Sequence, residues 1–332
     1  MPIPFCVWVL TMLRTNLSVK SILCLLFSLV LVVCSVACKS QDTLTQNENQ
    51  ITFTDALGRS VLVPKNVKRT AATLGCFAEI WQLAGGEVVA SADDAWQDFG
   101  LDMGDAVNIG GAHSPSLELL LSAKPDFVIA SASTSADVEM QETLESAGIT
   151  VAYFDIDNFD DYLEMLDVCT NITNRKDLYQ QNGLKIKEQI DNIKQDFKNS
   201  NLPENQRTVL LLRAASGFVK AKGSSGTILG EMLNDIGCIN IADSDSSLLE
   251  NLSIENIIEQ EPYHIFVVTM GDEQKAIDNL TKTMKENPAW ATLEAVQQDR
   301  MHFMDKKMFN LKPNAKWAQS YEQLCEVFYE SK

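Results

Sequence analysis

The chain has 332 residues, of which 45% are hydrophobic and 22% are charged. Because this length exceeds the usual size of one domain, it provides enough apolar side chains for two hydrophobic cores. The formal net charge of −18 argues against a nucleic-acid-binding protein, which needs lysine and arginine to neutralise phosphates. It argues equally against electrostatic attachment to anionic lipid.

The first 37 residues have the pattern of a signal peptide. They contain two basic residues and no acidic residue, with an apolar run at 22–33 and small residues before Cys38. The run is shorter than the ~20 apolar residues of a membrane-spanning helix. A cysteine directly after small residues resembles a bacterial lipobox, although Ser35 stands where that pattern prefers leucine. We therefore expect residues 1–37 to be a lipoprotein signal peptide and Cys38 to carry the lipid. A cleaved soluble protein and an uncleaved anchor are the alternatives.

Residues 38–50 are polar and lack apolar periodicity, so we expect a flexible tether between the lipid and the folded body. The four cysteines after Cys38 lack the paired spacing of zinc ligands, and we expect them to be free and buried. With three histidines in the whole chain, a bare metal ion is not the expected ligand. These four cysteines are Cys76, Cys169, Cys238 and Cys325.

Strands and helices alternate after the tether. Residues 51–64 alternate apolar and polar side chains around Gly58, which predicts a hairpin. The alternation that follows, with short connections, predicts a parallel sheet covered by helices. Its expected strands are 69–74, 88–90, 127–130 and 150–154, and its expected helices are 76–84, 115–123 and a further one that ends at 147.

The stretch 160–200 has helical spacing and no proline, so it predicts one long helix of up to ~60 Å that connects two lobes. The alternation then begins again, and the expected lobes are therefore 51–159 and 201–332. The expected strands of the second lobe are 208–212, 265–269 and 301–304, and its expected helices are 227–236, 253–260, 273–286 and 315–329.

One segment recurs in both lobes. Ser116–Ile129 reads SLELLLSAKPDFVI and Ser253–Phe266 reads SIENIIEQEPYHIF, with serine, glutamate and proline in register. The serine is expected to cap a short helix, and the glutamate to lie in its first turn, where the helix dipole favours it. The proline ends the helix before an apolar strand. Two such helix–turn–strand units predict two related lobes.

In their order and spacing, these pieces resemble the substrate-binding proteins of iron-siderophore, haem and cobalamin ABC importers. The resemblance covers about residues 51–329 and includes DALGRSVLVP, KRTAATLGCFAEIWQLAG, the two Ser-x-Glu units and SSGTILGEMLNDIGCINIAD. It implies an α/β fold with two Rossmann-like lobes joined by one long helix, and a ligand cleft between the lobes. It also implies that Glu118 and Glu255 dock on a permease. Without the resemblance, they would be ordinary first-turn glutamates.

The resemblance further implies an extracytoplasmic lipoprotein, a monomer anchored to the cell membrane, which delivers a small-molecule ligand to an ABC permease driven by a cytoplasmic ATPase. An iron complex (ferric siderophore or haem) and a corrinoid both remain open as the ligand, and no cofactor or nucleic-acid partner is expected. The alternatives are a ligand-sensing lipoprotein on the same fold and a secreted enzyme. The enzyme is disfavoured because GxGxxG after the first strand, GxxxxGK(S/T) and GxSxG are absent from the sequence.

Ligands of open α/β sheets bind outside the carboxyl ends of the strands, so the loops there supply the candidate ligand contacts. Arg213, at the end of an expected strand, could clamp a ligand carboxylate or pair with a neighbouring acid. The loops are rich in aromatic and small residues, which suits a bulky, partly apolar ligand. The candidates are Cys76, Phe77, Trp96, His113, Ser133, Arg213, Phe218, Met270 and Phe309.

Overall fold

The computed structural model of this protein describes residues 45–46, 49–250 and 252–330. The expected signal peptide (1–37) and the expected lipid-carrying Cys38 lie outside these residues. Within the described part of the chain, no helix is long and apolar enough to cross a membrane. The described chain forms two halves, and each is built on its own sheet of mainly parallel strands.

The first half combines a parallel sheet with an antiparallel hairpin. Its strands, in chain order, are β1 (Thr45–Gln46), β2 (Gln50–Thr54), β3 (Ser60–Pro64), β4 (Thr70–Ala72), β5 (Val88–Ser91), β6 (Val107–Asn108), β7 (Gly110–Gly111), β8 (Ser114–Pro115), β9 (Phe127–Ser131) and β10 (Thr150–Phe154). The parallel sheet has the order β10-β9-β4-β5-β6. Every residue of β4 and β9 is buried, as expected of strands that helices cover on both faces. The predicted hairpin is β2–β3, with Gly58 at a φ of 74° in its turn.

The polar segment 38–50 differs from its prediction as a flexible tether. Thr45–Gln46 forms β1, which pairs antiparallel with Ile51 and Thr52 of β2, and β2 itself begins at Gln50. This pairing satisfies backbone N–H and C=O groups, which side-chain periodicity does not reveal in a polar segment. The tether prediction is therefore wrong at these residues.

Helices follow the strands of the first half. They are α1 (Gly75–Leu83), α2 (Asp94–Gln97), α3 (Leu117–Ser122), α4 (Ser135–Glu139), α5 (Gln141–Ser146) and α6 (Phe159–Thr173). The Ser116 hydroxyl accepts a hydrogen bond from the backbone N–H of Leu119, so it caps α3 as predicted. Asn158 and Asp161 form a reciprocal capping box at the start of α6.

The helix predicted over 160–200 is two helices. α6 ends at Asn174, whose left-handed φ of 57° interrupts the helix. The Tyr162 hydroxyl then donates to the carbonyl of Asn182, so α6 packs beside the next helical stretch and belongs to the first half. The connecting helix is therefore shorter than predicted, because asparagine adopts the left-handed conformation without disturbing the helical periodicity of the sequence. Its parts are α7 (Lys176–Tyr179), a π-helical turn (Gln180–Leu184) and α8 (Lys185–Asn199).

The second half repeats the alternation of strands and helices. Its strands are β11 (Thr208–Ala215), β12 (Phe218–Lys222), β13 (Ile239–Asn240), β14 (His264–Thr269) and β15 (Met301–Met304). They form a sheet of order β12-β11-β14-β15, in which β12 is antiparallel to β11, and β13 pairs in parallel with the start of β11. Its helices are α9 (Ile228–Asp235), α10 (Ile241–Ser244), α11 (Ser246–Glu250), α12 (Ile254–Gln260), α13 (Glu273–Glu286), α14 (Glu294–Gln297), α15 (Lys306–Phe309) and α16 (Trp317–Glu330).

The recurring segment forms the same structure in both halves. The Ser253 hydroxyl caps α12 in the way described for α3. Glu118 and Glu255 lie exposed in the first turns of these helices. Directly before the two prolines, Lys124 and Glu261 both have positive φ values, 48° and 42°. The predicted pair of helix–turn–strand units is therefore confirmed, and the two units also share a positive φ before the proline.

A hydrophobic cluster joins the two halves. It includes Phe77 of α1 and Phe127 of β9 from the first half, and Phe266 of β14 and Trp317 of α16 from the second. Two further clusters lie on the opposite faces of the two sheets. Because the shared cluster is continuous, burial of apolar surface holds the halves against each other.

Candidate functional site

The carboxyl edges of the two parallel sheets face each other. The segment after β15 (residues 305–316) reaches the loops that follow strands of the first sheet. Lys306 Nζ lies 2.9 Å from Asp98 Oδ1, after β5, and Lys312 Nζ donates to the carbonyl of Ile156, after β10. Because ligands of parallel sheets bind outside the carboxyl ends of the strands, this arrangement places the candidate cleft between the halves.

Asn314 connects the halves at a buried position. It is fully buried, and its Nδ2 donates to the carbonyl of Cys76 at 3.1 Å and to Glu79 Oε2 at 2.6 Å. Burial raises the pKa of Glu79, and the hydrogen bond from Asn314 opposes that rise. Beside it, the Trp317 ring packs edge-on against Phe159 with 5.8 Å between centroids. Polar and aromatic contacts therefore both fix the junction.

The edge of the first sheet forms a wall of hydroxyl groups around a buried carboxyl, which we call the first wall. Asp137 Oδ2 accepts hydrogen bonds from Thr73 Oγ1 at 2.5 Å and from the Ser131 backbone N–H at 2.9 Å. Burial raises the pKa of Asp137, while Thr73, Ser131 and the nearby His113 lower it. The Ser131 and Ser133 hydroxyls lie 3.0 Å apart. Thr73, Ser131 and Asp137 are buried, and Ser133 is exposed, so the Ser133 hydroxyl is the group of this wall that can contact a ligand.

The edge strand β12 and its neighbour β11 carry three cations on one face of the second sheet, which we call the cation wall. Arg213 lies opposite Lys220, and Lys222 lies opposite Leu211, in the antiparallel register of β11 and β12. Since alternate residues of a strand share a face, all three cations lie on the face where Leu211 joins the core between the halves. The Nζ of Lys220 lies 5.7 Å from the centroid of the Phe218 ring.

The cation wall has no anionic partner within the described chain. The ion pairs found among the described residues include none with Arg213, Lys220 or Lys222. Arg213 Nε is buried without a hydrogen-bond acceptor, and burial lowers the pKa of Arg213. Burial, followed by the charges of Arg213 and Lys220, also lowers the pKa of Lys222.

Three predicted ligand contacts are core residues instead. Cys76 and Phe77 are 4% and 1% exposed in α1, and Phe309 is 2% exposed at the end of α15. Cys76 and Phe77 lie at the start of a helix that was predicted from residue 76, and its start is packed into the core, while Phe309 ends a short helix that the sequence pattern did not indicate. Burial raises the pKa of the Cys76 thiol to about 12, so the thiol stays protonated and apolar. These side chains pack the junction rather than line the cleft.

The other predicted contacts lie at the two walls or in neighbouring loops. His113 and Ser133 are exposed at the first wall, and Arg213 belongs to the cation wall with Phe218 beside it. Arg213, predicted at the end of a strand, lies within β11, which continues to Ala215, and Phe218, predicted in a loop, begins β12. The remaining two are Trp96, half-buried in α2 after β5, and Met270, 40% exposed after β14.

Sequence reasoning missed Asp137, Lys220 and Lys222. A signal for the two lysines was present, because Ser216-Gly217 followed by the alternating FVKAK is a pattern typical of a two-residue hairpin. No comparable signal marks Asp137, whose role depends on strands distant in sequence. Among the described residues, no group of histidine, cysteine or acidic side chains could hold a metal ion.

The family model for the periplasmic binding proteins matches residues 71–308, which include both parallel sheets. The chain belongs to the periplasmic binding protein family. The predicted family and the predicted two-lobed α/β fold of this binding protein are thereby confirmed.

Two proteins of Bacillus subtilis (strain 168) are similar to this binding protein. The iron-uptake system-binding protein is 24% identical over 198 residues, which are 58% of this chain and 59% of that protein. The Fe(3+)-citrate-binding protein YfmC is 25% identical over 203 residues, which are 61% of this chain and 60% of that protein. This binding protein therefore spans about three fifths of the length of these relatives.

A solved structure of low sequence identity has the same fold. SirA of Staphylococcus aureus, complexed with staphyloferrin B, aligns with a TM-score of 0.63 at 18% identity. The alignment covers 84% of this binding protein and 97% of SirA. At this identity the similarity establishes the fold of the two halves but not the ligand.

Proposed function

We propose that this chain is an extracytoplasmic lipoprotein that binds an iron complex or a corrinoid between its halves and delivers it to an ABC permease. The observation that carries the proposal is the meeting of two carboxyl sheet edges, because parallel sheets bind ligands there. Two relatives are named for iron uptake and for ferric citrate, which supports an iron complex within this class.

Ligand capture is tested with the protein from residue 39 onward, which needs no lipid. Visible spectra and tryptophan fluorescence would be recorded during titration with haemin, cobalamin, cobinamide and ferric complexes of citrate, a hydroxamate and a catecholate. Saturable quenching by one class at micromolar or lower concentration is expected. Half-buried Trp96 is the candidate reporter, so Trp96→Phe should reduce the signal. A folded protein that responds to none of these compounds would contradict the proposal.

The lipid anchor is tested separately, on the full chain produced in a bacterium with a lipoprotein pathway. We expect labelled fatty acid to appear on the wild-type protein and the protein to fractionate with membranes. Cys38→Ala should lose the label, whereas Cys76→Ala, a matched change of a buried cysteine, should keep it. A wild-type protein without label would contradict the proposed lipid anchor, and the conclusions from the ligand titrations would not change.

A further inference from the structure

The cation wall brings three unpaired cations together in an acidic chain. The chain has 45 acidic and 27 basic residues, and ten of the lysines and arginines among the described residues form ion pairs with carboxylates. One of these pairs, between Lys306 and Asp98, lies at the same junction. Arg213, Lys220 and Lys222 instead lie beside each other without a carboxylate among the described residues. The electrostatics of the empty protein do not explain this arrangement.

Of the three adjacent cations, Arg213 and Lys222 are partly buried and Lys220 is exposed. Like charges repel, and partial burial removes some of the water that would screen Arg213 from Lys222. The buried Nε of Arg213 has no acceptor, and an unsatisfied buried donor of a charged group destabilises a fold. An anion bound between the three side chains would neutralise the repulsion.

Given the proposed function, we infer that Arg213, Lys220 and Lys222 form the anion-binding part of the ligand site, and that the ligand is an iron chelate of net negative charge. The planar guanidinium of Arg213 presents parallel donors to a carboxylate or catecholate, and the two lysines add point charges. The Phe218 ring beside Lys220 offers apolar surface to the organic part of the chelate. The exposed hydroxyl of Ser133 at the first wall can then donate a hydrogen bond to a neutral oxygen of the chelate.

The charge of the ligand is tested with ferric chelates of different net charge. Ferric citrate and a ferric tris-catecholate are anionic, ferrichrome is neutral and ferrioxamine B is cationic. We expect saturable binding of an anionic chelate and affinity at least about tenfold lower for the neutral and cationic ones. Preferential binding of ferrichrome or ferrioxamine B would overturn the inference of an anionic ligand, but it would remain consistent with the proposed function in iron transport. Binding of none of them, nor of haem or corrinoid, would overturn the proposed function as well.

The site itself is tested by charge removal. Lys220→Gln and Arg213→Gln should each weaken binding of the anionic chelate at least about tenfold, since each removes a charged hydrogen-bond donor. Lys285→Gln makes the same charge change at an exposed position of α13 in the same half and should leave the affinity unchanged. Unchanged affinity in both cleft variants would place the anion elsewhere and overturn the assignment.

A second readout separates a ligand site from a structural one. Lys222→Met removes a charge that burial, Arg213 and Lys220 all disfavour, while it keeps most of the side-chain volume. The melting temperature of the ligand-free protein should therefore rise, and the affinity for the anionic chelate should fall. A lower melting temperature would mean that Lys222 supports the fold, and the inference would fail for this residue.

Discussion

The two oxygens of the buried Asp137 carboxyl have different surroundings. Oδ2 accepts both hydrogen bonds, from Thr73 and Ser131, whereas Oδ1 is buried without a partner. An asparagine can place its amide oxygen at Oδ2 and keep both bonds without a buried charge. The free energy of unfolding of Asp137→Asn should therefore lie within about 1 kcal/mol of the wild-type value. Asp137→Ala leaves two donors unsatisfied, and its free energy of unfolding should fall by about 2–4 kcal/mol.

Urea unfolding at neutral pH would measure both free energies of unfolding. Asp105→Asn, at an exposed position, controls for the loss of one negative charge from an acidic chain. If Asp137→Asn were as unstable as Asp137→Ala, the charge of Asp137 rather than its hydrogen bonds would be needed, and the nearby His113 would be its partner.

A buried histidine of the second half, His264, lies against the half-buried His302. His264 Nδ1 lies 3.0 Å from His302 Nε2, and His264 is 1% exposed. Burial, then the charges of His302 and Arg300, lower the pKa of His264 to about 3. Burial also lowers the pKa of His302, against the opposing charge of Asp299. Both rings are therefore neutral in the folded protein at neutral pH.

The direction of the pH effect follows from these pKa shifts. An unfolded histidine takes up a proton near pH 6.5. Folded His264 does not do so until the pH is far lower, and the pKa of folded His302 is also lowered. His264 therefore contributes stability that is complete above pH 6.5 and is lost as the pH falls towards 3, and His302 contributes in the same direction. His264 can account for up to about 1.4 kcal/mol per pH unit in this window.

Replacement of both rings by phenylalanine should reduce this sensitivity. Between about pH 7.5 and 5, the loss of unfolding free energy in His264→Phe/His302→Phe should be smaller than in the wild type by about 2 kcal/mol. Phe266 and Phe328 already pack against this pair, so the new rings meet apolar neighbours. Equal pH dependence in the double variant and the wild type would show that the pair is not the acid-sensitive group.

At the scale of elements, much of the fold was predictable. β10, β15 and α13 begin and end at the predicted residues, because buried strands are short apolar runs between polar residues and α13 has a regular amphipathic pattern. The break at Asn174 was not predictable, since helical periodicity continues on both sides of it. The position of β1 was missed because its polar residues carry no period-two signal.

Asn174 offers a direct test of that break. Its φ of 57° is a conformation that glycine adopts freely and alanine does not. Asn174→Gly should therefore leave the protein as stable or up to about 1 kcal/mol more stable, and Asn174→Ala should lose about 1 kcal/mol. At Gln189, exposed within α8, the order should reverse, because glycine lowers helix stability by about 1 kcal/mol relative to alanine. Thermal unfolding would compare the four variants, and the same order at both positions would contradict the left-handed helix end.

At the scale of the whole molecule, the sequence predicted which loops follow the strand ends but not which side chains are exposed there. Strand ends follow from local patterns, so the loops of the cleft could be identified. Burial depends on how distant segments pack, and for that reason Cys76 and Phe309 proved to be core residues. The cation wall could not be predicted without the register of β12 against β11, which pairs Arg213 with Lys220 across a two-residue turn.

The predicted docking on a permease also involves both halves of the molecule. Glu118 and Glu255 are exposed in equivalent first turns, one in each half, and Ser116 and Ser253 cap both helices. The backbone N–H of Ser116 also donates to the carbonyl of Ile109, just beyond β6. The start of α3 therefore lies at the carboxyl edge of the first sheet. Two carboxylates, one from each half, can set both the position and the orientation of a partner with two basic pockets.

The double variant Glu118→Ala/Glu255→Ala should therefore separate capture from delivery. Uptake of the bound complex by cells that carry the cognate permease should fall at least about tenfold, while ligand affinity measured on the purified protein stays the same. Glu142→Ala/Glu273→Ala removes two exposed first-turn glutamates from other helices, α5 and α13, and should leave uptake intact. If uptake survives in the first variant while the ligand still binds, the glutamates have only their local role at the helix N-termini. A protein that binds its ligand but supports no uptake even as wild type would instead favour the ligand-sensing lipoprotein.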